Sequence, residues 1–149
     1  MTQRLMLEQF LPYRLNRLAD TVSREFSQLY RDRLGISRPE WRTLATLGEF
    51  GTMTATEIGA RSAMHKTKVS RAVAALEERK WLLRTPDEKD RRVERLELTK
   101  AGHCAYQDMA PIALAFQADL LERLGGADAE TLLRAVDRLE HSLAGKLDL

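Results

Sequence analysis

Residues 65–98 read HKTKVSRAVAALEERKWLLRTPDEKDRRVERLEL, and the apolar period changes once inside them. Over 65–80, Val69, Val73 and Leu76 recur at spacings of four and three, which is one face of a helix. From 81 onward that stripe stops. Residues 81–85 suit a strand, 86–91 a charged turn, and 92–98 a returning strand with Leu96 and Leu98 on one face and Arg95 and Glu97 on the other. The stretch is therefore a helix followed by a β-hairpin with a long charged tip. The helix carries Lys66, Lys68 and Arg71 at its start and no acid before Glu77. The helix dipole disfavours cations at that end, so a purely structural helix would place Asp or Glu there. Cations fit if the first turns face a dense negative charge.

Upstream, three more helices are expected. Leu15, Leu18, Val22, Phe26 and Leu29 mark a long one over 8–34, with Pro12 near its start or kinking it and Gly35 as its stop. Ser37 and Glu40 have the capping-box spacing, with Pro39 in the first turn, so a second helix begins there and closes at Gly51. Thr54 and Glu57 repeat the spacing for a short third helix anchored by Ile58, and Ser62 to His65 leave only a tight connection. Downstream, Thr99 can cap a helix over 100–124 that Pro111 should kink, and Leu132, Val136, Leu139 and Leu143 mark a last helix over 128–146. Two short helices, a tight turn and a charged hairpin make a helix-turn-helix with a wing. The expected fold class is mainly α: a winged helix-turn-helix over 37–98, with 1–36 and 99–149 as a helical dimerisation body of one compact chain.

The net charge of +2 conceals an asymmetry. Residues 1–60 hold 8 Lys/Arg against 7 Asp/Glu, residues 61–95 hold 11 against 6, and residues 96–149 hold 5 against 9. The excess of positive charge thus sits on the helix and hairpin quoted above, as expected of a nucleic-acid contact surface. No apolar run approaches a membrane span and no signal segment is evident at the N-terminus, so a cytoplasmic protein is expected. The one cysteine, Cys104, excludes an internal disulfide framework and reads as a buried small hydrophobe. His103 beside it diverges by 100° on a helix, so no metal site forms, and no cofactor is expected. Catalytic motifs are missing too: no nucleophilic triad order, phosphate loop or paired carboxylates.

The DNA-binding candidates follow from position. A recognition helix enters the major groove N-terminus first. Lys66, Lys68 and Arg71 supply charge, Thr67 and Ser70 supply short hydroxyls, and Lys89, Arg91 and Arg92 lie on the wing over 85–95. Strand alternation puts Arg92 on the Leu96 face, so a structural role is as open to it as a DNA role. His65 stands where a helix cap belongs, and capping, phosphate contact or neither remain open. The alternative is a helical protein-interaction module without DNA binding.

The chain resembles the MarR family of winged-helix regulators over nearly its whole length. The matching stretches are LATLGEFGTMTATEIGARSAMHKTKVSRAVAALEERKWLLR and DEKDRRVERLELTKAG, the second being the more specific. The resemblance implies a homodimer joined through the first and last two helices, bound to a pseudo-palindromic DNA operator. It also implies a repressor released by a small aromatic or phenolic acid, held between the dimer body and the winged region. Arg14, Arg17, Trp41 and Met64 are the effector-binding candidates. Two positions depart from the family's pattern. Ala74 stands where many members have an acid that pairs with the arginine matching Arg92, so Arg92 is expected to bond to a backbone carbonyl or to DNA. Lys80 stands where glycine is frequent. A left-handed residue there costs lysine roughly 1 kcal/mol more than glycine, which predicts a different exit from the helix.

Overall fold

The computed structural model describes residues 2–144. A short 3-10 turn, Leu7–Gln9, precedes α1, Leu11–Leu34. Then come α2, Arg38–Phe50; β1, Met53–Thr54; α3, Ala55–Ser62; α4, Lys66–Glu78; β2, Leu82–Pro86; β3, Glu94–Leu98; α5, Lys100–Glu122; and α6, Gly126–Leu143. The last two residues expected in the final helix, 145 and 146, lie outside the described residues.

Local chemistry accounts for most of these boundaries. Pro12 stands in the first turn of α1, where its missing N–H costs little. Gly35 ends α1 in the left-handed region at φ 67°, its N–H donating to the carbonyl of Arg31. Ser37 and Glu40 form a complete capping box: Ser37 Oγ accepts the Glu40 N–H, and the Glu40 carboxylate accepts the Ser37 N–H at 3.3 Å. At α3 only half of the expected device forms, since Thr54 Oγ1 accepts the Glu57 N–H at 3.2 Å without the reciprocal bond. The chain around Thr54 is engaged elsewhere, in a strand. Met53 pairs with Leu96 and Thr54 with Arg95, making a three-stranded antiparallel sheet in the order β1-β3-β2. Two residues carry no readable alternation, which hid this third strand. The exit of α4 also differs from expectation: Lys80 adopts φ 64°, the left-handed turn usual for glycine. Pro111 lies inside α5, which continues through it to Glu122.

The core is built by nearly every element. Tyr30 of α1, Leu44 and Leu47 of α2, Ile58 of α3, Leu76 of α4, Leu82 and Leu96 of the sheet and Met109 of α5 are all buried. Aromatic rings extend this core between helices: Tyr30 stacks on Trp41 at 5.8 Å, and Phe26 meets Trp41 edge-on at 5.5 Å and Phe116 at 5.1 Å. Arg33 of α1 grips Asp108 of α5 with two bonds of 2.7 Å. Helix α6 buries nothing in this core. Cys104, expected inside, is exposed, because it falls off the face of α5 that carries Ala105 and Met109.

Candidate nucleic-acid interface

Helix α4 is held by one face and bare on the other. Val69, Ala72, Val73 and Leu76 are buried, while Lys66, Thr67, Lys68, Ser70, Arg71 and Ala74 are exposed. The free face is thus cationic for its first two turns, with the short Ala74 side chain next along it. His65 caps the helix, its Nδ1 accepting the Thr67 N–H at 3.2 Å. An imidazole acceptor satisfies a backbone donor there without adding an acid to a surface otherwise positive.

The wing projects beside this helix. Residues 87–93 connect β2 to β3, and the tip is shaped from within. Asp87 accepts the backbone N–H groups of Lys89 and Asp90 and the Arg95 guanidinium, the last at 2.8 Å. The bond from Arg95 and those two backbone donors hold the Asp87 carboxyl below the usual aspartate range. Arg92 does not continue β3. It lies in the turn, its side chain 91% exposed, and bonds to the Asp90 carboxylate at 3.1 Å rather than to a backbone carbonyl. The strand begins only at Glu94, so alternation counted back from Leu96 does not reach Arg92. Lys89 and Arg91 are exposed at the tip.

Helix and wing enclose a cleft of about 280 Å³, to which Lys66, Ser70, Arg84 and Arg92 contribute. The eight DNA-binding candidates therefore divide. Lys66, Ser70 and Arg92 share the cleft, Thr67, Lys68 and Arg71 lie on the open face of the helix, and Lys89 and Arg91 stand out on the tip. Sequence reasoning missed Arg84. From β2 it reaches Glu77 of α4 at 3.1 Å and Glu94 of β3 at 3.7 Å, tying recognition helix to wing. Arg84 pairs with Leu96 across the sheet, which puts Glu94 two residues away on the same face. Only the register reveals that neighbour.

The four effector candidates do not meet in one pocket of the protomer. Arg14 and Arg17 share an open groove of about 550 Å³ on α1, with Leu11, Leu15 and Leu18. Trp41 is committed to the aromatic cluster. Met64 lines a separate depression between α3 and α4 with Gly59 and Val69. Residue type and rough position did not separate a wall-forming tryptophan from a packed one. Among the described residues no group of His, Cys, Asp and Glu is placed to hold a metal, and no helix is long and apolar enough to cross a membrane.

The sequence pattern of the MarR family matches residues 34–93, from the end of α1 to the wing. No curated protein matches the chain. Among solved structures, a MarR family transcriptional regulator from Silicibacter pomeroyi is 27% identical, with a TM-score of 0.80 over 96% of this chain and 93% of that one. MepR of S. aureus, solved as a DNA complex, is 20% identical, with a TM-score of 0.77 over 90% and 98%. BpsR of Bordetella bronchiseptica, whose DNA binding is regulated by 6-hydroxynicotinic acid, is 19% identical, with a TM-score of 0.81 over 93% and 98%. These last two likenesses concern the fold. A cationic helix face, an adjoining charged wing and the family's own pattern over both lead to one statement: residues 34–93 carry the sequence pattern of the MarR family, and the chain as a whole is similar in fold to MarR family transcriptional regulators.

Proposed function

We propose that the protein is a cytoplasmic homodimeric repressor that binds a pseudo-palindromic operator and is released by a small aromatic or phenolic acid. The winged region 37–98 meets DNA, and 1–36 with 99–149 forms the dimer body. The observation that carries the reading is the division of α4 into a buried apolar face and a wholly exposed cationic one. On this reading Thr67 and Arg71 approach base edges in the major groove. Lys66, Lys68 and Ser70 bind phosphates, Lys89 and Arg91 at the wing tip reach the neighbouring minor groove or backbone, and Arg92 lies beside them at the edge of the contact.

Surface area supports the dimer. A compact monomer of 17.0 kDa exposes roughly 7,700 Å². This chain exposes 11416 Å². The excess, roughly 3,700 Å², is more than the about 1,000–2,500 Å² per partner that an obligate interface buries, so such an interface accounts for part of it. Leu7, Leu11, Leu15 and Leu18 near the N-terminus and Leu132, Val136, Leu139 and Leu143 of α6 are all exposed in the protomer. An effector with a carboxylate suits the guanidinium groups of Arg14 and Arg17, which line one groove of α1 together with Glu8. The regulation of BpsR by an aromatic acid supports that chemistry.

The test selects duplexes from a random-sequence library with the purified protein, then measures affinity against salt and mass by sedimentation. Twofold-repeated sequences, a steep salt slope and a dimer are expected. Transcription from a promoter carrying the selected site should fall when the protein is added. A monomer at micromolar concentration, or binding that ignores salt, would replace this reading with a protein-interaction module.

A further inference from the structure

The last turn of α4 is fastened to the rest of the protomer at two points. One is Arg79, its C-cap. The Arg79 guanidinium donates from Nη1 to the Leu34 carbonyl at 3.0 Å and from Nη2 to the Gly35 carbonyl at 2.5 Å. These are the final carbonyls of α1, the negative end of its dipole. The guanidinium also lies 5.1 Å from the centre of the Trp81 ring. The second point is the start of α5. Thr99 donates its N–H to the Trp81 carbonyl at 3.0 Å and its hydroxyl to the Lys80 carbonyl at 2.7 Å. Gly102 packs so closely there that a Cβ would come within 2.1 Å of the Trp81 oxygen. Helices α1 and α5 thus both grip the end of the recognition helix, and both belong to the body proposed to join two copies.

We infer that Arg79 is a positioning residue for operator recognition: by tying the end of α4 to the end of α1, it fixes the separation of the two recognition helices in the dimer. The inference rests on the dimeric operator-binding reading above. Arg79 lies at the end of α4 remote from the cationic first turns, so it acts through helix placement rather than by touching DNA. Its side chain is exposed, so removing it opens no core cavity, and the freed carbonyls can take water. The α5 fastening remains and keeps the fold intact.

The test uses duplexes built from the half-site that wild-type protein selects from the random library. Half-sites stand at the selected separation, one base pair closer and one base pair farther, and a fourth duplex carries a single half-site. Arg79→Met keeps the stem over Trp81 and loses the donors. It is expected to lower the preference for the selected separation about tenfold, the scale of one charge-assisted hydrogen bond, with single-half-site affinity unchanged. Arg79→Lys should recover part of that preference. A spacing profile identical to wild type at both variants would overturn the inference, as would equal losses on all four duplexes, which mark a direct DNA contact. If wild-type protein itself ignores separation, the dimeric operator reading fails and takes the inference with it.

Discussion

Helices α4 and α6 carry the same signal and meet opposite fates. Both have apolar residues at spacings of three and four. In α4 four of those residues are buried. In α6 none is, and Leu132, Val136, Leu139 and Leu143 each remain at least 40% exposed. An amphipathic stripe reports that a helix has a partner but not whether the partner is in the same chain. The remaining chemistry of each helix decides. Helix α4 is short, capped and wedged between α2, α3 and the sheet, and its opposite face is cationic. Helix α6 rests chiefly on α5 and lies at the edge of the protomer.

This contrast makes the two helices separable by mutation. Leu76→Ala in α4 should cost about 2–5 kcal/mol through a core cavity, read as a urea midpoint that does not depend on protein concentration. Leu139→Asp in α6 should instead dissociate or unfold the dimer, by placing a charge in the interface, and its melting temperature should vary with concentration. A stable, DNA-competent Leu139→Asp dimer would show that α6 faces water. On the free face of α4, Arg71→Ala should weaken the selected operator by roughly 1–3 kcal/mol and relax preference at one base. An equal loss on random DNA would assign Arg71 to phosphate.

The wing should show a smaller effect. Lys89→Ala should reduce the slope of log affinity against log salt by about one, and an unchanged slope would remove the tip from the interface. The smallest expected effect lies in the body. The Arg33 bond holds the Asp108 carboxyl below the usual aspartate range. A depressed carboxyl contributes stability that is present above the unfolded-state value and lost as pH falls through the folded one. Both groups are solvent-exposed, so screening keeps the contribution small. Acid unfolding curves of wild type and Asp108→Asn should therefore differ slightly near neutrality and converge in strong acid. A constant gap down to the lowest pH would exclude Asp108 ionisation as its cause.

Much of the architecture was legible before any coordinates. Ser37, Glu40, Gly35 and the three apolar residues of α4 act over one or two turns, where local sterics and hydrogen bonds suffice. The exposed placement of Thr67 and Arg71, with Lys68 and Ser70 flanking them, followed from the helical period, whereas Lys66 shares the period of Val69 and Val73 and is exposed because it starts the helix. Arg92 was less tractable, because its partner Asp90 depends on where the strand begins. Cys104 was misjudged because its neighbours Ala105 and Met109 claim the buried face. The four effector candidates separated because their distances depend on how helices pack, which no spacing encodes.

What the chain's order of residues dictated was periodicity, caps and charge placement, since each is settled among residues a few positions apart. Packing decided the third strand, the Glu77–Arg84–Glu94 tie, the grip of Arg79 on α1 and the exposure of α6. Those contacts join groups distant in sequence, or leave a face uncovered, and their geometry exists only once helices and strands have been placed against one another.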